Sequence, residues 1–231
     1  MATNRFRLSR WYNWLFYRIV NPHIERCLKT HASGRMLDIG CGEKPYAEFA
    51  APYVTEHVGL DHDETCHDRS RIDLFGSADN IPVEANAFDT VLCTDTLEHL
   101  ENPAAAMAEA FRILKPGGIA IVTVPFFWHL HEEPRDFFRF TRYGLTHLFE
   151  THGFEIIEIT SLSGFCAMMA QEWVYFLLRF RQPGRRNPLW WLVPPIAHLI
   201  QAAGFLLNKI EHSERFTFEY IAVVRKPDKQ I

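Results

Sequence analysis

The segment Met36-Leu-Asp-Ile-Gly-Cys-Gly-Glu-Lys-Pro45 joins an apolar strand to a glycine-rich turn. Asp38 lies at the strand's end, and Gly40 and Gly42 let the chain bend sharply, so exposed backbone N–H groups would line a small-molecule site. Roughly 20 residues on, Val58-Gly-Leu-Asp61 reads as a second apolar strand ending in an acid, placed to grip a ribose diol. Pro45 stands where a dinucleotide fingerprint needs its third glycine. A cofactor with a nucleoside but no pyrophosphate fits that turn better than a nicotinamide dinucleotide. A second chemical group is Pro125-Phe-Phe-Trp-His-Leu-His-Glu-Glu-Pro134. His129 and His131 alternate with apolar residues there, and Glu132 or Glu133 can orient a ring, which suits proton transfer. The other reading is a loop shaped by its prolines, with aromatics closing a pocket. No metal site is expected, because two histidines on a loop lack a third ligand at metal-binding spacing.

Short strands and helices alternate around these residues. Strands are expected at Arg35–Ile39, Val54–Leu60, Ile72–Phe75, Phe88–Cys93, Ile119–Val124, Phe154–Ile159 and Phe216–Val224. Tyr46–Pro52 reads as a short helix or turn. A helix is expected from Pro103 to Leu114, stopped by Lys115-Pro-Gly-Gly118, and another over Arg142–His152, closed by Gly153. Such a βαβ succession packs as a doubly wound, mostly parallel seven-stranded α/β sheet with flanking helices. Two segments stand outside it. One is an N-terminal amphipathic segment over residues 1–34, in which Arg5–Val20 forms a helix. Arg7, Arg10, Trp14, Arg18 and Asn21 gather on one side of it, and Leu8, Trp11, Tyr12, Leu15, Phe16 and Ile19 on the other. The second is a hydrophobic helical insertion, 165–210, before the last strand of the domain 35–231. It holds an apolar helix (Phe165–Phe180), the basic turn Arg179–Arg186 and the apolar run Leu189–Leu207.

The net charge of −4 conceals an asymmetry. Residues 1–35 carry seven Lys/Arg and one acid, 36–178 eight against 23, and 179–186 four arginines with no acid. An acidic body argues against nucleic acid as a partner, while the two basic patches suit an anionic membrane surface met at one place. Both atypical segments mix Trp, Phe and Leu with arginine, as interfacial helices do. Paired Pro194-Pro195, His198, Gln201 and Gly204 argue against a span through the second, as does the strand that follows it. The alternative is an apolar lid or a homodimer interface. Five scattered cysteines (Cys27, Cys41, Cys66, Cys93, Cys166) form no CxxC pair, which points to a reducing, cytoplasmic compartment, at most peripheral on a membrane's inner face. Basic and aromatic residues interleave at the N-terminus where a cleavable signal needs a smooth apolar run.

Leu37-Asp-Ile-Gly-Cys-Gly42, Val58-Gly-Leu-Asp61, Ala78-Asp-Asn-Ile-Pro82, Ala87-Phe-Asp-Thr-Val-Leu92, Thr96-Leu-Glu-His-Leu100 and Arg112-Ile-Leu-Lys-Pro-Gly-Gly118 together resemble the class I S-adenosylmethionine-dependent methyltransferases of small-molecule type. The resemblance covers roughly residues 35–160 and resumes at 216–225. It implies that Gly40 and Gly42 meet the methionine end of S-adenosyl-L-methionine through the backbone. Asp38 would anchor the turn or receive the amino group, and Asp61 would bind the ribose hydroxyls. Ala78 and Asp79 would border the adenine, and Thr94 would lie beside the cofactor. Many relatives carry Gly-Asp-Ala before the Leu-Pro, whereas this chain has Gly76-Ser77-Ala78, leaving Ser77 or Asp79 to meet the adenine. Asp89 reads as a loop-fixing residue, and Glu98 with His99 as a satisfied pair at a helix start. Arg135, Asp136 and Arg139 would hold the substrate loop by ion pairs. The implied activity is methyl transfer to a small or amphipathic, lipid-like acceptor by a single in-line displacement, which needs alignment and water exclusion. Only a hydroxyl of high pKa would need His131 or His129 as a base. The alternative is a catalytically silent methyltransferase-like scaffold, or a membrane-associated assembly partner.

Overall fold

A computed structural model describes residues 11–63, 68–179, 190–211 and 213–228. Arg7, Leu8 and Arg10 of the expected helix, Cys66 and most of the basic turn lie outside them. A 3-10 turn (Trp11–Asn13) leads into α1 (Trp14–His31), β1 (Arg35–Ile39), α2 (Ala47–Ala50), β2 (Glu56–Asp61), β3 (Leu74–Phe75) and β4 (Phe88–Thr94). Then follow α3 (Pro103–Ile113), β5 (Leu114–Pro125), α4 (Arg142–Thr151), β6 (Glu155–Ser161), α5 (Phe165–Leu178), α6 (Val193–Leu207) and β7 (Glu219–Arg225). The strands form one sheet in the order β3-β2-β1-β4-β5-β7-β6, and the pairs β1–β2, β1–β4, β2–β3 and β4–β5 are parallel. Chain order reverses direction at β1 and β4, so their C-terminal ends frame the crevice where open α/β sheets bind ligands.

The central strands are apolar on both faces because helices cover both: Met36, Leu37 and Ile39 of β1 and Val91, Leu92 and Cys93 of β4 are buried. α3 starts where Asn102 accepts a hydrogen bond from Ala105 N at 3.1 Å and Pro103 occupies the first turn. Ala106, Met107, Ala110 and Ile113 then bury one helical face.

Two boundaries differ from expectation. Lys115-Pro-Gly-Gly118 ends α3 but is already strand. Gly117 N donates to Lys226 O at 2.8 Å and Lys226 N to Gly118 O at 2.9 Å, so the residue just past β7 supplies the partner that extends β5 backward. α1 does not stop at Val20. It runs through Pro22 despite the lost N–H and the crowding of the preceding turn that an interior proline brings, because Ile24, Cys27 and Leu28 prolong the buried stripe.

The chain packs into two compact units. The larger comprises 24–126, 130–160 and 220–231, and the smaller 1–23, 127–129 and 161–219. In the smaller unit the two atypical segments pack on each other. The expected outward apolar face of α1 is buried instead: Leu15, Phe16 and Ile19 are covered, and so is Asn21, which had been placed on the polar side. Gln201 fixes the start of α1, accepting from Leu15 N at 2.9 Å and donating to Trp11 O at 3.0 Å. Gln171 donates to Tyr12 O at 2.8 Å. α5 and α6 meet where Gly204 abuts Ala170, a contact that leaves no room for a Cβ. On α6, Ile196, Leu199, Leu206 and Leu207 are exposed, and their spacing puts them on one helical face; Ile210, in the turn that follows, is exposed as well. Trp190–Leu207 is, among the described residues, the one segment long and apolar enough to cross a membrane.

Candidate functional site

The glycine turn belongs wholly to the larger unit. Gly40, Gly42 and Lys44 all adopt left-handed backbone, with φ of 68°, 48° and 51°. At Gly40 a side chain is also sterically excluded, because Thr96 fills the space a Cβ would take. The turn's amides are not left open, contrary to expectation. Gly40 N and Cys41 N both donate to Leu60 O, at 2.9 and 3.0 Å, and Gly42 N donates to Asp61 Oδ2 at 2.9 Å. β2 therefore holds these three amides and keeps the turn in shape. Lys44 completes the latch, pairing with Asp73 and donating to His57 O at 3.0 Å.

Asp61 is buried at the end of β2, and its second oxygen accepts from His62 N at 2.8 Å. Each oxygen thus holds one backbone N–H and retains acceptor capacity for the two hydroxyls of a diol, so these residues fit a nucleoside cofactor. Asp38 is buried in β1 and pairs with His57 Nε2 at 3.0 Å, a partner on β2 that no motif marks. Asp61 O also accepts from Gly76 N at 3.1 Å, which leads the chain straight into the turn carrying buried Ala78 and exposed Asp79. Arg112 pins the residues just after it, donating to Ile81 O and Val83 O at 2.9 and 2.8 Å. Cys41 lies in the glycine turn, but burial, then Asp38 and Asp61, push its thiol up to about 12. It is therefore no nucleophile at neutral pH.

Thr94 is buried at the end of β4. Thr96 binds back to Thr94 O at 3.0 Å and to Ile39 O at 3.3 Å. Two residues on, Glu98 is fully buried and neither carboxylate oxygen has a hydrogen-bond partner. The expected satisfied pair is therefore absent. Burial, then the Asp95 carboxylate, hold the Glu98 carboxyl well above the usual range. His99 Nε2 and His131 Nε2 lie 3.8 and 3.9 Å from Glu98 Oε1, and the two rings pack edge to face at 4.7 Å.

The loop ion pair expected of Asp136 and Arg139 is present and bidentate, at 2.6 and 2.7 Å. Burial works against the Asp136 charge, but Arg139 and the His131 N–H hold its carboxyl well below the ordinary carboxylate range. Asp136 in turn accepts from His131 N at 3.0 Å. Burial first, then the neighbouring His99, lower the His131 pKa, so the ring is neutral at pH 7.

His129 falls in the smaller unit. Its ring centroid lies 3.9 Å from that of Tyr175 with the planes tilted by 40°, and Nδ1 lies 3.6 Å from Glu172 Oε1. There it lines an apolar cavity of about 410 Å³ with Phe127, Trp128, Phe165, Met168 and Phe216. The two histidines grouped by the sequence thus belong to different units, and His131 shares its unit with Gly40, Gly42, Asp61 and Thr94.

Residues 12–159 match the methyltransferase-domain family, and with its switch-point glycine turn and acidic β2 terminus the chain belongs to the class I S-adenosylmethionine-dependent methyltransferases. It is 33% identical over 142 residues to a probable S-adenosylmethionine-dependent methyltransferase of Mycolicibacterium smegmatis, covering 56% of this chain and 55% of that one. It is 31% identical over 113 residues to a ubiquinone biosynthesis O-methyltransferase of Thiobacillus denitrificans, covering 43% and 49%. The chain thus spans about half the length of these curated relatives. Among solved structures, the [4+2]-cyclase SpnF superposes with a TM-score of 0.59 at 22% identity, covering 90% of this chain and 82% of that one. That likeness concerns the fold alone.

Proposed function

We propose that this chain transfers a methyl group from S-adenosylmethionine to a small or amphipathic acceptor. The observation that carries the reading is the buried Asp61 carboxylate, which steadies the glycine turn through Gly42 while keeping acceptor capacity for a ribose diol. Bound there, the cofactor supplies an already activated methyl carbon. The chain's own work is then positioning. Gly40 and Gly42 shape the surface for the methionine end, Asp38 braces β1 through His57, Ala78 and Asp79 border the adenine, and Thr94 flanks the site. For a hydroxyl acceptor His131 is the base, since its ring is neutral and Nε2 is turned toward Glu98 rather than toward Asp136. His129, beside Glu172, is the second candidate. A methyl-labelled cofactor offered with lipid, quinone, sugar and phenol acceptors tests the reading. Label in any acceptor supports it, and cofactor binding without transfer across the whole panel points to a silent scaffold instead.

A peripheral membrane role is a second reading, supported by the smaller unit's outward stripe Ile196, Leu199, Leu206, Leu207 and Ile210. Trp173, Phe176 and Trp191 are also exposed there. Arg18 and Lys209 stand over Phe205, with distances of 6.0 and 5.0 Å to the ring centroid, the mixture of cation and ring that settles at headgroup depth. The cytoplasmic face of an anionic membrane is the surface that this combination suits.

A further inference from the structure

We propose that Glu98, His99 and His131 form a binding site for one divalent transition-metal cation of the zinc class. One ligand atom from each lies within 4.8 Å of the others, and the surroundings turn those atoms inward. His131 Nδ1 stands 3.3 Å from Asp136 Oδ2, nearer than the Arg139 guanidinium at 3.5 Å. His99 Nδ1 meets the Arg135 carbonyl at 2.5 Å. The acceptor beside His99 Nδ1 fixes its proton there and leaves its Nε2 lone pair for the interior, while Asp136 and the Arg139 guanidinium both stand at His131 Nδ1 and hold that ring in place. Both Nε2 atoms converge on Glu98, whose carboxyl is fully buried and accepts no hydrogen bond.

A cation supplies what is missing. Zinc ligands at about 2.0–2.2 Å lie roughly 3.3 Å from each other, so the Glu98–imidazole gaps of 3.8 and 3.9 Å close by about half an ångström. Asp136 then plays the part of the carboxylate that orients a metal-bound imidazole. Two imidazoles and one carboxylate leave coordination positions open, and exposed Glu132, with Oε2 3.7 Å from His99 Nε2, stands at the rim. This binding does not depend on the methyltransferase reading. Its consequence does: a His131 Nε2 that holds the cation would not also serve as the base, and the cation would instead lower the pKa of an acceptor hydroxyl, whose proton would pass to solvent.

Calorimetric titration of the chelator-stripped full chain with zinc(II), and with cobalt(II) followed by visible absorption, tests the site. About one equivalent should bind per chain. Glu98→Gln, His99→Ala and His131→Ala should each weaken it about tenfold or more, while exposed His147→Ala leaves it unchanged. Circular dichroism checks that each variant folds, and should E98Q fail to fold, the two histidine variants decide. Absence of stoichiometric uptake, or uptake that H99A and H131A leave within about twofold, overturns the proposal. Titrating S-adenosylhomocysteine into the same stripped protein separates the two ideas. Nucleoside binding without metal binding sinks the cation site alone, and the converse sinks only the cofactor reading.

Discussion

Replacing Asp61 with alanine removes two things at once, and they can be measured apart. In the cofactor-free chain the carboxylate accepts from Gly42 N at 2.9 Å and His62 N at 2.8 Å. Hydrogen bonds to a charged acceptor are worth about 1.5–3 kcal/mol each, and water entering the truncated site recovers part of that. A stability loss of about 2–4 kcal/mol is therefore expected in thermal or urea unfolding. In the complex the same oxygens also take the ribose hydroxyls, and losing them should weaken S-adenosylhomocysteine by roughly 1–3 kcal/mol, about five- to 150-fold in Kd. Asp61→Asn separates the effects. Its one carbonyl oxygen can hold only one of the two N–H donors, so part of the stability returns while diol affinity stays low. Calorimetric titration at a temperature where each variant is folded gives the answer. A folded D61A protein with unchanged affinity would refute the ribose assignment, whatever its stability.

Three further outcomes are expected. His131→Ala should cut turnover on a hydroxyl acceptor by roughly 10²–10⁴-fold with cofactor affinity nearly intact. Full turnover in both H131A and H129A would remove imidazole from the chemistry. Burial alone would raise the Asp89 carboxyl, but Lys115 at 2.8 Å and Arg35 N at 2.8 Å hold it below its ordinary value. Its contribution is thus present above the unfolded pKa near 4 and is lost as pH falls through the lower folded value. Asp89→Asn should cost about 1–3 kcal/mol at pH 7, with the difference from the parent narrowing on acidification, and a pH-independent difference would refute the ion-pair account. Flotation with anionic liposomes should be lost when Trp191, Leu199 and Leu206 become glutamate. Leu15 is unsuitable for that test because it is fully buried, and a full-length protein that stays soluble as a stable dimer would end the membrane reading.

Much of the larger unit was legible because its information is local. The run Arg35–Ile39 is bounded by polar residues and by Gly40, and β1 occupies that span. Asn102-Pro103 marks a helix start whatever surrounds it, and α3 begins there. The errors arose where a distant segment decides. β5 begins five residues before the apolar run at Ile119 because Lys226 pairs with Gly117 and Gly118. The apolar face of α1 looked available to lipid because its cover, α6, lies more than 170 residues away, and only the Gln201 and Gly204 contacts reveal the match.

The candidate site divides in the same way. Asp61 announces itself by standing at a strand's end the right distance past two glycines, and the sheet's parallel register alone then brings it to Gly42. Glu98 carries no such mark, since an acid followed by histidine at the head of a turn usually faces water. What buries it is the loop that returns over β4, whose Phe137 N and Phe138 N bond to Glu98 O at 2.9 and 3.3 Å. The same return brings His131 and Asp136 beside His99. A buried carboxyl without a hydrogen-bond donor is costly when charged, and burial with the Asp95 carboxylate holds Glu98 toward its neutral form. The proposed cation would reverse that balance by giving the charged form a partner between two imidazoles, which makes the most sequence-silent residue of the cluster the one on which its chemistry would turn.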